Sequence, residues 1–504
     1  MKNLIEISKI VTKKKVKKIE IFDDHSLKHK NSKFNEFYEA LMENRFKNDR
    51  DAASFLYSCS PTDDKYRQLK SRFRKRLLNT LFFLDVNLPS TSNYERAYFS
   101  CNKDWTLVRI LLSNGAEHTA ASLARQILTT ALKFKFADVI VNCSRILRKY
   151  ASVTDSEKEY ELYDQYSKQY QDVLDAEIRS EELYQRVIMN YHRPPSKNFN
   201  LEEKIDVYCD ALVGLSEMYD SPIVIYNMYL VWAYRYEMLN DYDSMLEVCK
   251  KAEKYIEDNP RYYREDMLAT FQMKKMSAFL HLQDYKNGKV NAEKCLQSFP
   301  EGSKTWFDFM EYYLLLALHT ENYINALAIY KRAESNTKFK RMTGIPNEKW
   351  AIYNTYLNYI IESQSDTNPI LRMQQNRKKF RLSRFLNDNL LYPKDQRVFT
   401  VLLLIAQILF LLEKKSYSAV TERIDRLKGY ANRQLKKEEF FRAIQFIRLL
   451  QQLSKADFQV KNLSNTQKYY ERLTEQPFKF RGLISELEII PYERLWEMIL
   501  ERLK

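Results

Sequence analysis

Between Ile223 and Phe339 one pattern is written three times, and it narrows the folds open to this chain more than any other feature. Each copy has an aromatic-rich apolar segment at helical spacing, a short polar break, and a second helical segment with small residues on one face. The breaks read Asn240-Asp241-Tyr242, Gln283-Asp284-Tyr285 and Glu321-Asn322-Tyr323. Successive copies are about 40 residues apart, the length of a long helical-hairpin repeat. One hairpin cannot bury its own apolar face, so such units stack on one another.

Glycine and proline support a helical reading. The 504 residues include only 7 Gly and 12 Pro, fewer than a fold rich in tight turns is expected to need. Hydrophobic residues at 45% and charged residues at 29% are the balance of a chain that buries a core. The six cysteines, Cys59, Cys101, Cys143, Cys209, Cys249 and Cys295, are scattered, with no CxxC pair and no zinc spacing. They suit a reducing cytoplasm. The first twenty residues hold a basic run, Lys13 to Lys18, without the apolar stretch of a signal peptide. Val398 to Leu412 is uncharged but shorter than the roughly 20 residues of a spanning helix, so a buried helix and no membrane segment is expected there.

Four regions follow along the chain: a basic N-terminal arm at 1–33, helical and degenerate hairpins at 34–192, the clear repeats at 200–390, and further hairpins with a cap at 391–504. The arm includes KKIEIFDD, which could form one short strand. Pro194-Pro195 is the strongest boundary signal. A fourth tyrosine of the repeat type, Tyr417, is followed by Val420, Ile424 and Leu427. The last segment carries Leu495, Trp496, Ile499, Leu500 and Leu503 on one face, as a capping helix would.

These positions resemble the tetratricopeptide repeat, in which a Tyr between two helices is followed by small and aromatic residues at set spacings. The third copy matches with Tyr323, Ala326, Tyr330 and Ala333; the second has Tyr285, Gly288, Ala292, Cys295 and a terminal Pro300. The first departs at Met245 and Cys249 but keeps Tyr242 and Ala252. The C-terminal part is similar to uncharacterised helical-repeat proteins of the Bacteroidota. The resemblance implies an all-α fold, a right-handed α-solenoid of helical hairpins with a capping C-terminal helix.

It also implies a groove lined by the first helix of each hairpin. The matching positions are Asn227, Tyr234 and Glu237; Met273, Ser277 and His281; and Asp308, Glu311 and His319. Such a groove suits a protein or peptide partner. Where the family's carboxylate clamp uses Lys, Arg and Asn, this chain has Leu230, Tyr234, Asp308 and Tyr312, so no clamp is expected. In the Tyr417 unit the same face is Leu402, Ile405 and Leu409, apolar enough to need cover from the C-terminal helices or a partner.

No catalytic or cofactor motif is present: no GxGxxG, no P-loop, no HExxH and no GxSxG. The expected protein is not an enzyme and holds no cofactor or metal. The formal net charge of +15 leaves nucleic acid open as a partner. Two basic stretches carry that alternative, Lys65, Arg67, Lys70, Arg72, Arg74, Lys75 and Arg76 on one helix, and Arg372, Arg377, Lys378, Lys379, Arg381 and Arg384 further on. Each is either a solvated helix face or an electrostatic footprint for phosphates or acidic protein.

Overall fold

The computed structural model describes residues 33–43, 45–46, 48–81, 93–191, 201–364, 368–369, 371, 380–387, 392–393, 396–435 and 439–504, and every regular element among them is helical. The N-terminal arm to residue 32, with its KKIEIFDD segment, lies outside the described residues. So do Pro194-Pro195 and Arg372, Arg377, Lys378 and Lys379. Among the described residues no helix is long and apolar enough to cross a membrane.

The chain divides into two compact units, Met1–Asp175 and Ala176–Lys504. The first contains α1 (Lys33–Met42), α2 (Asp49–Tyr57) and α3 (Asp64–Leu81), which close on a small core of Phe37, Leu56, Tyr66, Phe73 and Leu77. A separate core joins α4 (Asn93–Ser113), α5 (Glu117–Phe134), α6 (Ala137–Val153) and the first turns of α7 (Glu157–Tyr191). Ala120, Ala121, Ala124 and Ala131 are buried on α5 and let α4 and α6 approach closely.

The second unit takes the rest of α7 and continues with α8 (Leu201–Met218), α9 (Pro222–Met238), α10 (Tyr242–Asp258), α11 (Glu265–Leu282) and α12 (Tyr285–Leu296). Then come α13 (Lys304–His319), α14 (Tyr323–Ser335), α15 (Ile345–Gln364), α16 (Leu382–Asn387), α17 (Arg397–Glu413) and α18 (Tyr417–Gln434). It ends with α19 (Phe441–Lys455), α20 (Thr466–Glu475) and α21 (Tyr492–Leu503). Helices pack on their neighbours in sequence, and first helices also meet across hairpins, α9 on α11 and α11 on α13. One continuous core from Leu230 to Ile499 joins the regions 200–390 and 391–504.

Tyr242, Tyr285, Tyr323 and Tyr417 each open the second helix of a hairpin. The turn before each is the same. A residue takes left-handed backbone, Asn240 at φ 56, Gln283 at 53, Glu321 at 58 and Lys415 at 52. The next N–H then reaches back to a carbonyl in the helix before it: Asp241 to Tyr236, Asp284 to Phe279, Asn322 to Ala317 and Ser416 to Leu411. This is a Schellman closure, and it recurs in the first unit at Gly115, Lys135 and Asp155. Scarce glycine therefore does not mean scarce tight turns. The chain makes them with residues that pay roughly 1–2 kcal/mol for the left-handed well.

Gly288 has a different task. A Cβ there would run into the Leu316 side chain and sit 3.1 Å from Phe279 Cβ, so its absence lets α12 lie against both α11 and α13. At the other small repeat positions Ala252, Ala292, Ala326 and Ala333 are fully buried, and the Met245 that departs from the repeat pattern is buried as well.

Gln283→Gly and Lys415→Gly are each expected to raise unfolding free energy by up to about 1 kcal/mol, because glycine relieves the left-handed strain at some cost in unfolded-chain freedom. Gly288→Ala is expected to lower the thermal unfolding midpoint by overpacking, by about 1–3 kcal/mol in free energy. Thermal and urea unfolding of the purified chain measure all three.

Candidate functional site

The residues matched to a groove lie on α9, α11 and α13, and most of them are already engaged. Asn227 is buried and its amide donates to Ser180 Oγ at 3.0 Å. Glu237 is buried and pairs with Lys274 of α11. The Lys274 ammonium lies 3.5 Å from the centre of the Tyr234 ring, and Tyr191 packs edge-on against the same ring at 4.7 Å. Glu311 is buried, paired with Lys349 of α15, and accepts from Tyr353 Oη at 2.6 Å. Acid–ammonium pairs thus join α9 to α11 and α13 to α15. Such pairs cost several kcal/mol to break from one side, because the survivor is left charged in a dry place.

Met273 and Asp308 are half-buried, and burial together with nearby Glu311 raises the Asp308 carboxyl above its ordinary range. Ser277 is buried. Of the positions matching the clamp, Leu230 is core and Tyr312 is half-buried.

The remaining nominees, His281 and His319, meet a stretch that sequence reasoning passed over. Residues 477–490 run from α20 to α21 and pack on α11 and α13. The Phe480 N–H donates to His281 Nε2 at 3.0 Å, while His281 Nδ1–H donates to the Ser277 carbonyl at 2.7 Å. His319 Nε2–H donates to the Glu488 carbonyl at 2.7 Å. Phe478 lies between both rings, 5.4 Å from His281 and 4.4 Å from His319, and Tyr242 stacks on the far side of His281 at 4.3 Å. Phe480 is buried beside Tyr312 at 5.3 Å, and Lys479 between the two phenylalanines is exposed. Gly482 turns the segment at φ +84, where a Cβ would touch Tyr312 Oη at 3.4 Å.

Arg442 on α19 holds both ends of this strap. Its guanidinium donates to the carbonyls of Leu473 and Gln476 at 3.0 and 2.6 Å, where the strap begins. It also donates to both Glu488 oxygens, at 3.1 and 2.9 Å, and to Glu493 at 2.7 Å, where the strap ends. All of the guanidinium's donors are used. Glu488 in turn accepts from the Tyr492 N–H at 2.7 Å and so closes the first turn of α21.

Beyond His319 the cover extends over α17, whose residues Val398 to Leu412 are all buried. Leu402, Ile405 and Leu409 are enclosed by α15, α18, α21 and the turn at Ile484–Glu486. An opening of about 390 Å³ remains beside that turn, bordered by Arg397, Glu439, Phe440, Gly482, Ile484 and Ser485. Among the described residues no group of three or more His, Cys, Asp or Glu is placed to hold a metal ion.

The basic helix α3 lies in the first unit. Lys65, Arg67, Arg72, Arg74 and Lys75 are exposed, whereas Lys70 pairs with Asp49 at 2.6 Å and Arg76 lies over the Phe34 ring. Arg381 and Arg384 are exposed in the second unit. The signal for the strap was present in the chain: Phe478-Lys479-Phe480 alternates with period two between a proline and a glycine, which is how extended backbone on an apolar surface reads.

Both histidines are held neutral. Burial lowers His281, with Lys479 and Arg481 acting the same way and Glu237 opposing them. Burial pushes His319 down to about 4, helped by His281 and Arg442 and opposed by Glu493. Unfolded histidine titrates near 6.5, so below that pH the unfolded chain binds protons that the native chain refuses. The His319 contribution to stability is present above about pH 6.5 and falls away toward pH 4, and His281 acts in the same direction. Urea unfolding at pH 5 is expected to show about 2 kcal/mol less stability from His319 than at pH 7.5, and His319→Gln is expected to flatten that difference. Arg442→Met is expected to cost about 3–5 kcal/mol, with Arg442→Met plus Glu488→Gln costing less than the single change, as the same unfolding assay reads.

Comparison with known proteins finds no family model, no curated protein and no solved structure that matches this chain.

Proposed function

We propose that this chain is a non-enzymatic protein-interaction scaffold of the bacterial cytoplasm, a right-handed solenoid of tetratricopeptide-like hairpins that takes an extended polypeptide on the inner faces of α9, α11 and α13. The observation that carries this reading is the strap. Those faces hold a non-helical segment partly through its main chain, an N–H on His281 and a carbonyl on His319, with aromatic contacts for the alternate side chains Phe478 and Phe480. Main-chain bonding with pockets at every second side chain is how extended peptides are recognised in general. The cysteines are all free thiols, five of them buried, which suits a reducing compartment.

A second reading rests on α3. Its exposed Lys65, Arg67, Arg72, Arg74 and Lys75 surround a core stripe of Tyr66, Leu69, Phe73 and Leu77, a solvent-facing cationic surface fit for nucleic-acid phosphates.

Affinity capture of the full chain from its native cell, with and without nuclease, separates the two. The scaffold reading expects a discrete set of proteins retained after nuclease; loss of all of them on digestion would sink it. For the second reading, five neutralised phosphates would weaken binding of a generic DNA duplex about 500-fold between 50 and 200 mM salt. Binding that Arg72→Glu, Arg74→Glu and Lys75→Glu together leave unchanged would remove it.

A further inference from the structure

We propose that residues 477–486 are a resident self-ligand, and that a partner polypeptide with two aromatics separated by one residue and followed by a basic residue displaces them from His281, Tyr312 and the ring of His319. This rests on the scaffold reading and adds the identity of the partner's recognition motif and the means of its control.

The chemistry of the seat defines the motif. Phe478 and Phe480 point to the helices and Lys479 to solvent, so the site reads every second side chain. The His281 partner is a main-chain N–H, which any extended chain supplies, and the His319 ring meets the Phe478 side chain. Arg481 adds the basic position, 5.1 Å from the Tyr191 ring with a bond to the Tyr191 carbonyl at 3.3 Å.

The middle of the strap is also built to leave without stranding a charge. Arg481 carries its counter-ion with it, since its side chain pairs with Glu486 at 2.5 Å and its own N–H donates to the same carboxylate at 2.7 Å. The seat it leaves behind contains two neutral imidazoles and a phenol. The ends are held separately by Arg442, and Leu487, Ile489 and Ile490 are buried, so the span between them can lift while both feet stay in place. Pro477, Lys479 and Gly482 are exposed, so the outer side of the strap faces solvent.

The test titrates the full chain with a fluorescein-labelled synthetic peptide of residues 475–488, EQPFKFRGLISELE, followed by anisotropy. The parent is compared with Phe478→Ser plus Phe480→Ser, which empties the aromatic slots. Because that double change removes a buried ring, Gly482→Val serves as a second opening variant: it keeps both aromatics and strains the strap at its left-handed residue. Weak binding to the parent, at least tenfold tighter binding to both variants, loss on adding His281→Ala, and no binding of a peptide with both phenylalanines replaced by serine are expected. Equal affinity for parent and variants would overturn self-competition while leaving the scaffold reading in place. No binding to any of them, with circular dichroism showing folded variants, would overturn both. A concentration-dependent dimer of the parent, lost in the Phe478→Ser plus Phe480→Ser variant, would assign the seat to a second copy and overturn the proposal.

Discussion

One guanidinium holds the C-terminal part of this chain in order. Arg442 satisfies the last exposed carbonyls around α20, neutralises the buried Glu488 and reaches Glu493 in the first turn of α21. Through Glu488 it sets the carbonyl that His319 meets and the N–H that begins α21. A lysine in its place could offer three donors from one point, not a planar fork reaching two carboxylates and two carbonyls. The cover over α17 follows from this anchorage, since Leu487, Ile489 and Ile490 lie next to Glu488 and are buried with it.

How much of this could be read beforehand depends on how local the cause was. Tyr242, Tyr285, Tyr323 and Tyr417 mark helix starts because the turn before each is closed by residues within six positions, so the pattern is written in one short stretch. The buried run in α17 was legible for the same reason, as was its need for cover. The segment that covers His281 and His319 was not. His281 and Phe480 are separated by 199 residues, and His319 and Glu488 by 169, so neither partner marks the other in the sequence. The polar nominees Glu237 and Glu311 show a related effect, since hairpin matching placed them on a shared face but did not show Lys274 and Lys349 arriving from the next first helix. Glycine count misled about turns because Asn, Gln, Glu and Lys hold left-handed positions here, where packing on both sides outweighs the local strain.

The two units differ in how they present charge. On α3 Lys65, Arg67, Arg72, Arg74 and Lys75 stand in solvent around a narrow apolar stripe. In the second unit many are drawn inward, as Lys274, Lys275, Lys349 and Arg442 each meet a carboxylate while mostly shielded from water. Net charge alone therefore says little about where a polyanion would be attracted, and the distribution says more.

The tethering of the strap at both ends sets a quantitative threshold for anything that would replace it. A short tether holds its ligand at an effective concentration on the order of millimolar, whatever the abundance of the protein. A free peptide with the same contacts would have to approach that concentration to compete evenly. A partner that is itself attached elsewhere on the chain, or recruited by a second contact, meets the strap on equal terms at far lower abundance. The same geometry that covers His281 and His319 thus favours a partner that arrives with two points of attachment rather than one.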